Sequence, residues 1–273
     1  MDLNAALQLL ARDPQAPLDI AELALQLARD EYPHLDVEAY LAELSAMAQE
    51  AGRYLRGPLT ARVQGLCRYL FHDLGFRGNK KDYYDPLNSY FNQVMERRTG
   101  IPITLSAVTM AIAGRCGLRV EGVGLPGHFI VKAVDGEEQV LIDPFHGGRV
   151  LTTTDCENLV LQVTGRELAV TQERLQALPL GLMLVRMLNN LKAVYLKRSD
   201  MPRAVQVLER LRQLAPADAE VQRDLGVCLL HAGQPGKAID LLAAYTQAEP
   251  QAMDVEAVHD LLRQARAQVA GWN

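Results

Sequence analysis

Cysteine is scarce in this sequence. The four, Cys67, Cys116, Cys156 and Cys228, are scattered and show no C-x-x-C spacing, which argues against a zinc ribbon and against a disulfide framework. No run of about 18 apolar residues occurs, so no membrane span is expected. There is no basic excess either: Asp and Glu number 33 against 28 Lys and Arg, and the basic residues gather only in short pairs such as Arg97-Arg98 and Lys80-Lys81. A nucleic-acid partner is therefore not expected. The opening "MDLNAALQLLARD" has acids where a secretory signal needs basic residues. The expectation is a cytoplasmic protein with reduced thiols. No Gly-Lys-Ser/Thr occurs, so Gly78-Asn79 and Gly100 read as turn chemistry rather than a phosphate loop.

What is present is ordinary for a chain that buries a core, with 49% hydrophobic and 22% charged residues. The first 75 residues read as helices, with Asp36 as an N-cap and Gly75 as a stop. The stretch "GFRGNKKDYYDPLNSYFNQVMERRTG" is partly irregular, because Asp85 precedes a proline. Asn88 or Ser89 then caps a helix ending at Gly100. Pro102 opens an almost wholly apolar helix that ends near Cys116-Gly117, and such a helix is usually buried.

From Val120 the pattern becomes that of strands: "RVEGVGL", "HFIVKAV" and "QVLIDPF". Asp135-Gly136 is a hairpin signal between the second and third. A turn centred there sets His128 opposite Asp143 on one rung. The carboxylate can then fix the tautomer and orientation of the imidazole, as the third member of a nucleophile-activating triad does. The plainer readings are a half-buried strand histidine and an Asp-Pro turn starter. A structural His–Asp pair is a third. His146 follows in a loop before Gly147-Gly148 and can line the same cleft. His128, Asp143 and His146 do not show a familiar ligand spacing, so no metal and no other cofactor is expected.

From about Leu180 the chain is helical and repetitive. "NLKAVYLKRSDMPRAVQVLERLRQLAP" and "DLGVCLLHAGQPGKAIDLLAAYTQAEP" align without gaps at a 34-residue offset, matching Leu191 with Leu225, Ala204 with Ala238, Leu208 with Leu242 and Pro216 with Pro250. That period and those positions mark tetratricopeptide repeats. Two such units rarely stand alone, so the last helix is expected to cap one end and the N-terminal domain to cover the other.

The runs "RRTGIPITLSAVTMAIAGRCGL", "EGVGLPGHFIVK" and "LIDPFHGGRVL", with "FRGNKKDYYDPLNSYFNQVMERR" and "MLNNLKAVYL", resemble the bacterial SirB-type proteins over nearly the whole chain. The resemblance implies an α+β fold. It comprises a helical N-terminal section, a transglutaminase/papain-like core with one buried helix against an antiparallel sheet, and a C-terminal tetratricopeptide-like repeat. The expected division is 1–178 (helical 1–75, core 76–165) and 179–273. In that core a nucleophilic cysteine stands at the N-terminus of the buried helix, where the dipole lowers its pKa. Here the position is Pro102. Thr104 and Ser106, in the same helix, offer hydroxyls instead. Cys116 lies at the opposite end, about 20 Å away at about 1.5 Å per residue.

Two functions follow. One is a non-catalytic transglutaminase-like protein, a pseudoenzyme that binds a protein or peptide partner through its cleft and repeats, with Asn88, Arg97, Arg98, Thr104 and His146 lining the cleft. The other is an acyl-transfer enzyme of protease, amidase or transglutaminase type that uses His128 and Asp143 with a hydroxyl, Ser106 or Thr104, as the attacker. Partner, substrate and oligomeric state are not legible in the sequence.

Overall fold

The computed structural model describes residues 2–271. They form two compact units, one running from Gln15 to Met187 and the other made of the residues up to Pro14 with those from Leu188 onward.

The chain begins with α1 (Leu3–Arg12), capped by the Asp2 side chain. Then come α2 (Ile20–Ala28), α3 (Val37–Ala51) and α4 (Leu59–Cys67), the last continued by a π-helical turn over Arg68–Asp73. Asp36 caps α3 as its position predicts, accepting from the Ala39 N–H at 3.1 Å. Two short strands, β1 (Arg77–Gly78) and β2 (Thr99–Gly100), pair in parallel. Between them lies α5 (Phe91–Arg97). Neither Asn88 nor Ser89 caps it: Tyr90 is its N-cap residue and makes no side-chain cap bond. Asn88 is fully buried and its amide donates to the Asp82 and Tyr83 carbonyls at 2.8 and 3.3 Å, so it ties down the preceding loop instead.

Next, α6 (Pro102–Arg115) is buried on every side from Pro102 to Thr109. At about 1.5–3 kcal/mol for each large aliphatic side chain, Leu105, Val108 and Ile112 alone give this helix several kcal/mol of hydrophobic stabilisation. Strands β3 (Val120–Leu125), β4 (His128–Asp135), β5 (Glu138–Asp143) and β6 (Arg149–Leu151) make one antiparallel meander in chain order. Then come α7 (Thr153–Thr164) and α8 (Leu180–Lys197), within which the two units meet in sequence.

Pleating sends Val123, Leu125, Ile130, Leu141 and Leu151 to one face, where Cys156, Leu159 and Val160 of α7 complete a core cluster. Phe129, Val131 and Ala133 point the other way, towards α6. Gly122 of β3 makes room there, since a Cβ on it would meet the Phe129 ring at 2.9 Å and the Met110 sulfur at 3.3 Å.

The other unit holds α9 (Met201–Leu214), α10 (Ala219–His231), α11 (Pro235–Ala248) and α12 (Val255–Ala270). Ala204, Leu208, Ala238 and Leu242 are all fully buried, as the repeat predicts. Close approach of α10 and α11 depends on Gly226, where a Cβ would lie 2.8 Å from Leu242. At one end α12 packs on α11, and α1, from the start of the chain, packs on α9.

Candidate active-site cluster

The hairpin turn that carries Asp143 differs from the sequence expectation. Its two-residue loop is Gly136-Glu137, with Asp135 paired to Glu138 and Val131 to Ile142. Gly136 has φ +57°, the conformation that a glycine-first hairpin turn requires. Asp143 is therefore level with Ile130, and His128 lies one diagonal step away rather than opposite. A shift of two residues preserves the face, so the side chains still meet. His128 Nε2 and Asp143 Oδ2 are 3.0 Å apart, and both side chains are buried.

Asp143 is the hub of a larger set. Its Oδ1 accepts from the backbone N–H groups of Phe145 and His146 at 3.0 and 3.2 Å, and its Oδ2 also lies 2.7 Å from His146 Nδ1. Burial pushes the Asp143 pKa up. The hydrogen bonds and charges of His128, then of His146, outweigh burial and hold the carboxyl below the usual carboxylate range. An ionised Asp143 accepts from a proton-bearing Nε2 of His128, and in the neutral ring that arrangement leaves Nδ1 as the acceptor nitrogen, the tautomer a general base uses. The three donor atoms of His128, Asp143 and His146 lie within 4.8 Å of one another, a set able to approach one metal ion. Two of the separations are hydrogen-bond lengths, so the carboxylate already has its partners.

This cluster sits at the N-terminal end of α6. The C-terminus of α6 leads directly into β3, whose first residue, Val120, pairs with Ala133 near the far end of β4. Helix and strand have similar lengths, about 21 and 26 Å from their rises per residue, so His128 comes level with the start of α6. A chain of close contacts agrees. A Cβ on Gly78 would meet Phe145 at 2.5–2.7 Å, Gly78 pairs with Gly100, and Gly100 is two residues before Pro102. Phe145 stands edge-on to His128, His146 and Tyr83, with centroids 6.1, 5.2 and 6.1 Å away. Tyr83 and Tyr84 continue this rim into solvent, at 37% and 48% exposure.

The hydroxyls of α6 are less available. Thr104 Oγ1 accepts from the Ile101 N–H at 3.1 Å and lies 2.8 Å from the Asn88 carbonyl, its best acceptor. It serves the helix start. Ser106 is fully buried, and its Oγ has no partner among the described residues. Arg97 pairs with Asp85 at 2.8 Å. Arg98 takes the left-handed conformation at φ 53°, bonds Glu43 at 3.1 Å and stacks on Phe76 at 4.8 Å. Among the described residues neither arginine bonds to the histidine cluster. The cluster thus gathers His128, Asp143 and His146, while Asn88, Thr104 and Arg97 brace the loop and helix start beside it, and Arg98 ties to Glu43 of α3 instead.

No thiol is prepared for attack. Burial pushes the Cys67 thiol up to about 12 and Cys228 to about 11, and burial with the nearby Asp155 and Asp143 charges does the same to Cys156, also to about 11. Cys116, at the far end of α6, is raised too, by burial, and contacts the Ile112 carbonyl at 2.9 Å.

The family comparisons cover both the α+β part of the chain and its helical repeats. The Transglutaminase-like superfamily profile covers residues 38–189, and the Tetratricopeptide repeat profile covers 191–263. A UPF0162 protein of Xylella fastidiosa is 36% identical over 250 residues, spanning 88% of each chain. The chain belongs to the UPF0162 (SirB-type) family of transglutaminase-like proteins. The human F-box only protein 21 is 34% identical over 161 residues, which are 55% of this chain and 25% of that protein. Among solved structures, menin covers 96% of this chain and 70% of its own at 9% identity and a TM-score of 0.44, a likeness too loose to build on. Among the described residues no helix is long and apolar enough to cross a membrane.

One member of the site escaped the sequence reading. Arg186 of α8 donates from Nη2 to the carbonyls of Leu125 and His128 at 3.0 and 2.9 Å, clamping both ends of the Pro126-Gly127 turn. A lone charge inside the apolar run "GLMLVRML" is the signal that marks it.

Proposed function

We propose that this SirB-type protein is a non-catalytic transglutaminase-like protein, with a regulatory role, that binds a protein or peptide partner. The cleft beside His128 is one binding surface and the repeat helices are another. The observation that carries this reading is Pro102 as the first residue of α6, at the helix start that in this fold carries the nucleophile. Proline offers no attacking atom. The four thiols are all pushed up, so none supplies a thiolate at neutral pH. A base and its orienting carboxylate without a nucleophile are suited to hydrogen-bonding a ligand rather than to acyl transfer. The aromatic rim of Tyr83, Tyr84 and Phe145 adds the apolar, edge-bearing contacts that peptide-binding clefts use. Tetratricopeptide helices in general bind peptides, a warrant that rests on the repeat class.

The partnerless Ser106 hydroxyl favours a second reading, an acyl-transfer enzyme that uses it with His128 and Asp143. One experiment separates the two. The intact protein is treated with fluorophosphonate and iodoacetamide probes and mapped by mass spectrometry. The first reading expects no labelled residue in the cleft. Stoichiometric label on Ser106 or Thr104, lost in His128→Ala, establishes the second. Partner capture that survives His128→Ala but is lost on changing exposed repeat positions such as Gln206 and Lys237 would assign the binding to the repeats.

A further inference from the structure

Next to the histidine cluster, within the same unit, lies a cavity of about 630 Å³. Its walls include the Pro126-Gly127 turn, Glu173, Arg174, Leu178 and Arg186. Arg186 is the unusual member. Its guanidinium stacks 5.2 Å from the Phe129 ring and rests on Gly124, where a Cβ would fall 2.4 Å from Nη1. Only a glycine leaves that place open.

Other half-buried arginines of this protein face carboxylates, Arg97 with Asp85 and Arg223 with Asp254. Arg186 has none within ion-pair distance among the described residues, and Glu173, on the same wall, does not reach it. Desolvation lowers its pKa, opposed only by the nearby Tyr83. A charge withdrawn from water normally has a counter-charge. Two of its five N–H donors are spent on the turn carbonyls, leaving Nε and Nη1.

We propose that this cavity binds a carboxylate group of a peptide, held against Arg186 beside the turn that precedes His128. The inference rests on the peptide-binding reading above and names what the peptide must carry. A monoanion fits the wall better than a dianionic phosphate, because Arg186 and Arg174 are opposed by the single charge of Glu173. The cavity also shares its turn with the histidine: the carbonyl of His128 itself accepts from Arg186.

The test uses the full chain and three pools of random octapeptides. The first lacks Asp and Glu and has free C-terminal carboxylates. The second has the same composition but is amidated. The third is amidated and contains Asp and Glu. The expected result is retention of the first or third pool about tenfold above the second. That excess should disappear in Arg186→Gln and rise in Glu173→Gln, an exposed position whose change does not threaten the fold. Equal retention of all three pools above background overturns the carboxylate inference and leaves peptide binding standing. Displacement by inorganic phosphate at concentrations where acetate has no effect overturns it in favour of a phosphate site. An excess that persists in Arg186→Gln also overturns it. No retention of any pool by folded protein overturns both readings.

Discussion

Replacing Asp143 with alanine tests the cluster most sharply. The carboxylate holds four donors: the backbone N–H groups of Phe145 and His146, and the rings of His128 and His146. His146 is 34% exposed at its side chain, so its ring can return to water when the carboxylate goes. The His128 ring and the Phe145 amide are buried and cannot. Two orphaned donors at about 2 kcal/mol each give a loss of about 4 kcal/mol at pH 7. Asp143 is held below its ordinary pKa, so its contribution is fully present above about pH 4 and is lost as pH falls through the folded value. Urea denaturation of wild type and Asp143→Ala, followed by circular dichroism at several pH values, reads both effects. The gap should be about 4 kcal/mol at neutral pH and should narrow in acid. His146→Ala, which removes a half-exposed partner, should cost less than about 1 kcal/mol. A gap below about 1 kcal/mol at pH 7, or one that widens on acidification, refutes the hub.

In the repeat unit, Gly226→Val drives a side chain into Leu242 and should cost about 1–3 kcal/mol, while Gly236→Ala, with open space around its Cβ, should be neutral or stabilising in thermal melts. Thr104→Val removes both the Ile101 N–H acceptor and the tie to the Asn88 carbonyl, and should cost about 1–2 kcal/mol in the same assay. The native thiols should alkylate slowly at pH 7, as followed by mass spectrometry, because all four are pushed up; rapid labelling of any one of them contradicts that electrostatic account.

The elements with strong periodicity were legible. The apolar helix from Pro102, the β-rich runs after Val120 and the 34-residue repeat appear where the residue pattern puts them. What was lost depends on atoms far apart in sequence or on a single turn. The hairpin centre lies one residue further on, because Gly136 takes the first loop position rather than the second. The pairing of Asp143 with His128 survived that error because strand faces repeat every two residues. The cap of α5 was misplaced because Asn88 serves the loop behind it. Arg186 lies 58 residues from the carbonyl it clamps, and α1 lies against α9 across nearly two hundred residues. No local pattern reports contacts of that kind.

The central claim is that the His128–Asp143 pair lies at the end of the sheet level with a helix start lacking its reactive atom, and Pro102→Cys tests it directly. The measurement is the pH dependence of iodoacetamide labelling at residue 102, with and without His128→Ala. If the claim holds, the introduced thiol titrates well below its ordinary value of about 8.5 and outpaces the four native thiols, and His128→Ala slows it and raises its pKa. A thiol at 102 that titrates at about 8.5 or above, indifferent to His128, contradicts the account.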